Sequence, residues 1–248
     1  MSQTPANKFI AAIVIVSAPF AMGAFFLAWS PAAQYENSDP KRDGYVQPRS
    51  IEHLVDRTQD STVTVFCRTG KDSMSLGTAW AIDLKNGKDK KYPTSLITNH
   101  HVIEDCIPAG GKLTVAELYK KEVPAEIVKW DKKNDLAVLA TGLKLKTLEL
   151  SDFDPWPGYW VMALGSADGY EGSVAFGSVL NTNEYEVLIT ANTSHGNSGG
   201  PLVDNEGKVV GTVSWSSTKE QYNGAMSLNA MCRKIIKCDG KYYWDYEE

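Results

Sequence analysis

Histidine and cysteine are both scarce in this chain, four of each among 248 residues. Four cysteines (Cys67, Cys106, Cys232 and Cys238) are too few for a disulfide-dense scaffold, and no His/Cys spacing is tight enough for a structural zinc site. An excess of basic charge is also missing. Lys and Arg number 25 against 30 Asp and Glu, a net charge of -5, so there is no electrostatic footprint for nucleic acid. Internal repeats and low-complexity tracts are absent, and only one long apolar run occurs, which excludes a polytopic membrane protein. What remains is ordinary globular material, 43% hydrophobic and 22% charged, long enough to bury a core.

The single apolar run lies at the start. Phe9 to Trp29 contains no charged residue and is long enough to cross the ~30 Å hydrocarbon layer as a helix. Lys8 and the terminal amine precede it, so the positive-inside tendency leaves residues 1–8 in the cytoplasm and exports the rest. This reads as an uncleaved signal anchor over 9–29. A cleaved signal peptide is the alternative, although Pro31 spoils the candidate cleavage sites. Residues 30–57 carry Pro31, Pro40, Gly44 and Pro48 with mixed charges and read as a stalk, with a short helix near Ser50–Arg57.

From Ser61 the pattern changes to short β-type runs separated by turn residues. STVTVFC, GTAWAID, TSLITN, KLTVAEL, AEIVKW and DLAVLA form one set. After the Pro- and charge-rich stretch LKTLELSDFDPWPG come YWVMAL, GSVAFGSVL, YEVLIT, GPLVD, KVVGTVSWS and YNGAMSL. About a dozen close-spaced strands around a central linker predict an all-β protein in two halves. The segment NAMCRKIIKC has the spacing of a short terminal helix, and the Lys85–Lys91 run reads as a solvated hairpin. Trp80, Trp160 and Trp215 fall in strands and are assigned to packing first.

The chemistry-bearing stretch is His195-Gly196-Asn197-Ser198-Gly199-Gly200-Pro201. Glycines on both sides of a serine allow a tight turn in which backbone N–H groups converge while the hydroxyl stays exposed. The same stretch satisfies the G-x-S-x-G pattern of α/β-hydrolases, in which the histidine follows the serine. Here His53, His100, His101 and His195 all precede Ser198, which removes that reading. A base must come from upstream, and Thr98-Asn99-His100-His101-Val102 follows an apolar strand, where a histidine would be set on a rigid scaffold. An acid is sought at Asp135, which opens the apolar run Leu136–Leu139, with Asp131 as a nearby competitor.

Taken together, Gly77-Thr78-Ala79-Trp80, ITNHHVIED, NDLAVL, Gly158–Gly165, GNSGGPLVDNEGKVVG and the GAMSL run resemble trypsin-like serine proteases, and most nearly the bacterial high-temperature-requirement branch. That resemblance spans about Ser61 to Ile236. It implies two six-stranded β-barrels with a site in the cleft between them, the domain covering 58–248 as an N-terminal barrel (58–143), a linker (144–157) and a C-terminal barrel with tail (158–248). It implies His101 as base, Asp135 as acid and Ser198 as nucleophile, with Gly196, Asn197 and Ser198 forming the oxyanion hole. Val213, Ser214, Trp215 and Ser216 would line the substrate, and Asn192, where trypsin-like enzymes set charge preference, is no acid, so strict Lys/Arg cleavage is not expected. Thr193 and His195 complete the expected pocket wall. In place of the peptide-binding PDZ domain that often follows in this branch, the tail CDGKYYWDYEE is found.

In an exported protein the cysteines favour Cys67–Cys106 and Cys232–Cys238 bridges, with other connectivities open. The reading is therefore a membrane-anchored serine endopeptidase of the cell envelope. It would act on proteins or peptides, with no cofactor, no metal and no nucleic-acid partner, and oligomers are possible. The alternative is a catalytically silent protease-fold module that binds peptides or proteins.

Overall fold

A computed structural model describes residues 43–70, 73–84, 91–108, 110–217, 219–236 and 238. The expected anchor, residues 30–42 of the expected stalk, most of the Lys85–Lys91 hairpin and the acidic tail after Cys238 lie outside the described residues. Among those described, no helix is long and apolar enough to cross a membrane.

Each β-type run of the sequence becomes a strand. The first set comprises β1 (Thr62–Arg68), β2 (Met74–Ile82), β3 (Thr94–Thr98), β4 (Lys112–Ala116), β5 (Val123–Asp131) and β6 (Leu136–Thr141). These close into a barrel in the order β1-β2-β3-β6-β5-β4. The second set comprises β7 (Trp160–Ala167), β8 (Tyr170–Thr182), β9 (Glu186–Ile189), β10 (Pro201–Val203), β11 (Val209–Ser216) and β12 (Asn223–Ser227). They close in the order β10-β11-β12-β9-β8-β7. Closure leaves no open sheet edge, which is how so many short strands avoid edge-to-edge association.

The strand period of two explains where the cores sit. Val63, Val65, Leu96, Val115 and Leu139 fill the first barrel, and Val161, Ala163, Val187, Ile189 and Val213 fill the second. A third cluster joins Trp80, Ile97 and Leu136 of the first barrel to Met162, Val203 and Met226 of the second. On β1, Thr62 and Thr64 alternate with the two valines and carry hydroxyls to the opposite face. Thr62 Oγ1 donates to Thr58 O at 2.7 Å, and Thr64 Oγ1 shares a 2.7 Å bond with Ser166 Oγ of the second barrel. Strand β1 therefore alternates between apolar filling and polar fastening.

Three short helices complete the described chain. Helix α1 (Ile51–Gln59) is capped by Ser50 Oγ, which accepts from His53 N, and buries Leu54 and Thr58. Helix α2 (His100–Ile103), followed by a 3-10 turn over Glu104–Cys106, carries the histidine pair. Helix α3 (Leu228–Lys234) begins at a Ser227 cap and buries Leu228, Ala230, Met231 and Cys232 in the inter-barrel cluster. The bridges Cys67–Cys106 and Cys232–Cys238 are both formed.

Residues 44–57, which their composition reads as linker, lie against the second barrel. Trp160 N donates to Gly44 O at 2.8 Å, Asn205 Nδ2 to Val46 O at 2.7 Å, and Arg57 Nη2 to Glu206 O at 2.6 Å. Gln59 Nε2 reaches Gly172 O at 2.9 Å. Backbone and amide hydrogen bonds fasten this segment, which is why its weak apolar periodicity did not reveal it.

The inter-barrel linker holds one carboxyl at odds with its surroundings. Burial pushes the Asp154 carboxyl up to about 6. Its folded-state value lies above its unfolded one, so the fold is penalised as pH rises through about 6, and the penalty is absent below the ordinary range near 4. A rise of that size corresponds to ~3 kcal/mol before screening, and about half of that at this partly exposed position. Asp154→Asn is expected to raise Tm by ~3–6 °C at pH 7.5, with the gain vanishing near pH 4. Thermal melts of both proteins across that range check it.

Candidate functional site

The turn carrying Ser198 is shaped by what cannot fit there. Gly199 has φ +86, and a Cβ on it would lie 2.1 Å from Thr78 O and 2.2 Å from Thr98 Oγ1. Gly196 has φ +91, and a Cβ there would lie 2.1 Å from Ser166 O. Both positions need the left-handed backbone and the missing side chain together. The turn is thereby pressed against both barrels at once.

His101 sits at the second position of α2, at the end of β3, and Asp135 precedes β6, the strand that pairs with β3. Asp135 Oδ1 accepts from the His101 backbone N at 3.0 Å, and His101 Nδ1 lies 2.8 Å from Asp135 Oδ2. Asn99 Nδ2 donates to Asp135 O at 2.8 Å, fixing the same backbone from the other side. The carboxylate therefore selects the tautomer with the proton on Nδ1 and leaves the Nε2 lone pair free to accept. Asp131, the competing acid, bonds instead to Asn134 Nδ2 and N, within its own turn.

Burial alone would raise the Asp135 carboxyl. Hydrogen bonds and attraction from His101, with a further bond from Ser214, outweigh it and hold the group below the ordinary carboxylate range. Side-chain exposure is 46% for His101 and 25% for Asp135, so the imidazole is open to solvent while the carboxylate is largely covered.

Ser214 joins the two ends of the site. Its Oγ donates to Asp135 Oδ2 at 2.6 Å, and its carbonyl accepts from Ser198 Oγ at 3.0 Å. The residue was expected only to line the substrate. Its contact with the acid has no signature in the sequence, because β11 and the Asp135 turn are 79 residues apart.

Two backbone N–H groups are aimed by the carbonyls that precede them. His195 O accepts from Asp168 N at 2.6 Å and Asn197 O from Gly200 N at 2.9 Å. In a trans peptide the carbonyl and the following N–H point opposite ways. The N–H groups of Gly196 and Ser198 are therefore turned away from these partners. Asp168, in the β7–β8 hairpin, was not singled out by any sequence signal.

The other expected pocket residues are placed as follows. Val213 is buried, its N donating to Gly200 O and its O accepting from Gly199 N. Thr193 and Ser216 face each other directly, with Oγ1 and Oγ 2.9 Å apart and Ser216 Oγ donating to Thr193 O at 2.9 Å. Trp215 Nε1 donates to Glu186 Oε1 at 3.1 Å, and its ring meets Tyr222 edge-on. Asn192 and His195 are exposed. Asn223, not singled out, is buried and donates from Nδ2 to Ala191 O at 2.7 Å.

The model of the trypsin-like peptidase domain matches residues 77–211, more than half of the chain. The chain belongs to the trypsin-like peptidase family. Among curated relatives, a probable periplasmic serine endoprotease DegP-like from Pseudomonas putida strain F1 is 33% identical over 144 residues, covering 54% of this chain and 29% of the relative. Its namesake from Ectopseudomonas mendocina is 28% identical over 187 residues, covering 69% of this chain and 37% of the relative. The chain thus spans about a third of the length of these relatives. Among solved structures, the serine endoprotease from Yersinia pestis superposes with a TM-score of 0.63 at 26% identity, covering 77% of this chain and 66% of that one. The HtrA-type protease AlgW with tripeptide gives a TM-score of 0.59 at 28% identity, covering 72% and 60%. Family membership accounts for the two barrels and places the Ser198 turn and the His101 segment within the matched residues.

Proposed function

We propose that this trypsin-like peptidase is a serine endopeptidase that hydrolyses protein or peptide substrates through His101, Asp135 and Ser198. The observation that carries the reading is the chain of bonds through Ser214, with one end on the nucleophile candidate and the other on a carboxylate that also holds an imidazole. In the resting chain the Ser198 hydroxyl rests on the Ser214 carbonyl, so the first step is rotation of Oγ toward His101 Nε2. Oγ then attacks the scissile carbonyl carbon, its proton passes to Nε2, and the carbonyl π electrons move onto oxygen. The N–H groups of Gly196 and Ser198, with Asn197 between them, stabilise that oxyanion. Collapse expels the amine, which takes the proton from Nε2, and leaves an acyl group on Ser198. Water, deprotonated by the same imidazole, attacks the acyl carbon; the Ser198 Oγ–carbon bond then breaks, Oγ takes the proton back from Nε2, and the acid is released. Asp135 keeps the imidazole oriented and stabilises its charged form throughout.

Thr193, Ser214, Trp215 and Ser216 would line the substrate beside the turn, with Asn192, His195 and Val213 around them. Two disulfides suit an oxidising compartment, and the relatives named above are described as periplasmic. We place the domain on the extracytoplasmic side, with residues 9–29 as a membrane anchor on the strength of their uncharged run. Fractionation with carbonate extraction checks the anchor, and a soluble full-length chain would refute it.

A second reading, a silent protease-fold module, draws on one observation: Ser198 Oγ donates to Ser214 O and not to the imidazole. A fluorophosphonate probe decides between them. Labelling of the wild-type chain, lost in Ser198→Ala, is the expected result. A folded wild-type chain that never labels, even with peptide present, would favour the silent module.

A further inference from the structure

We infer that Thr78 is a positioning residue for the oxyanion hole, a role that rests on the serine-peptidase reading above. It lies on β2 of the first barrel, is fully buried, and uses every polar atom it has on the site. Its backbone N donates to Ser198 O at 2.8 Å, and its Oγ1 donates to Gly196 O at 2.6 Å. The same Oγ1 accepts from Ser166 N at 3.0 Å, and its carbonyl accepts from Thr98 Oγ1 at 2.7 Å.

The direction of these bonds matters. Ser166 N–H occupies a lone pair of the Thr78 hydroxyl, so the hydroxyl proton is left for the Gly196 carbonyl and has no competing acceptor among these partners. Together with Asp168 N on His195 O and Gly200 N on Asn197 O, the two bonds from Thr78 anchor all four successive carbonyls from His195 to Ser198. Gly196 is the loosest joint of that run, with φ +91 and no side chain to hold it. Release of its carbonyl would free the peptide planes on either side to rotate, and these planes carry the two N–H groups that face the oxyanion. Thr98 adds a second link. It directly precedes the Asn99–His101 segment, so Thr78 ties the nucleophile turn to the strand that delivers the base.

The test compares Thr78→Val, which keeps the branched shape and loses the hydroxyl, with Thr78→Ser, which keeps the hydroxyl and loses the methyl. With a peptide substrate, Thr78→Val is expected to lower kcat about 30- to 100-fold with KM within about 2-fold, at or just below the ~10²–10³-fold loss that follows outright removal of an oxyanion donor, since the donor is misaimed and not deleted. Thr78→Ser is expected to stay within about 3-fold of wild type. Affinity for a peptide boronate, which forms a tetrahedral adduct on serine, should fall with kcat, whereas affinity for the cleaved product peptide should not. A folded Thr78→Val with near wild-type kcat would overturn the role. Equal losses in both variants would assign the effect to packing and overturn it too.

One readout does not depend on turnover. A crystal structure of Thr78→Val is expected to have the Gly196 carbonyl rotated from its wild-type direction, and an unmoved turn would refute the proposal. A wild-type chain that neither labels nor cleaves would count against the peptidase reading itself, while this structural comparison still judges Thr78.

Discussion

Asp135→Asn is expected to lower kcat about 10⁴-fold, the loss found when the acid of a serine-protease triad is made neutral, with little change in KM or Tm. The reason lies in which atoms donate. Asparagine keeps the shape of the side chain, and its oxygen can still accept from the His101 backbone N now bonded to Oδ1 at 3.0 Å. Its amide would then face Nδ1 as a donor, so the imidazole carries its proton on Nε2 and has no lone pair for the Ser198 hydroxyl. Ser214 Oγ would lose its acceptor as well. The fold has less to lose, because Asn99 Nδ2 bonds to the backbone carbonyl of residue 135 and not to its side chain. Steady-state kinetics alongside a thermal melt measure both sides of this split. A loss below about 10-fold would mean that Asp135 is not the acid.

Removing the Cys67–Cys106 bridge is expected to have the largest effect on stability. The two cysteines are 39 residues apart in sequence, and closing a loop of that length removes ~4 kcal/mol of unfolded-chain freedom in the loop-entropy account. For a domain of this size the Cys67→Ser/Cys106→Ser variant should melt ~8–16 °C below wild type. Activity at 20 °C should change by less than about 3-fold, since Val102 and Ile103 of α2 are fully buried in the first barrel and hold the His101 segment without the bridge. Differential scanning calorimetry with parallel kinetics checks both statements. An unchanged Tm would mean that the reduced chain is already confined.

Strand positions were legible because most barrel strands have a compact apolar run bounded by polar or turn-forming residues. The chain order of His101, Asp135 and Ser198 was legible because chain order survives folding. What folding juxtaposes was not. Ser214 and Asp135 meet across 79 residues, and Thr78 reaches Gly196 across 118. Thr78 stood within a motif, but a lone threonine in a strand has no mark that distinguishes fastening from packing. Residues 44–57 were read by composition as linker with a short helix, since, apart from the buried Leu54, much of their hold on the second barrel runs through backbone carbonyls that no side-chain pattern records.

The Ser198 turn is held by Thr78 from one barrel and by Asp168 from the other. On the proposed roles of His101, Asp135 and Ser198, neither half of the molecule contains a competent centre by itself, so catalysis would report on the docking of the halves and work as a coincidence detector. Two separately produced fragments, split in the 144–157 linker, would be inert alone and would regain hydrolysis only on reassociation. Any mutation that loosens the seam between them would reduce turnover before it unfolds either piece.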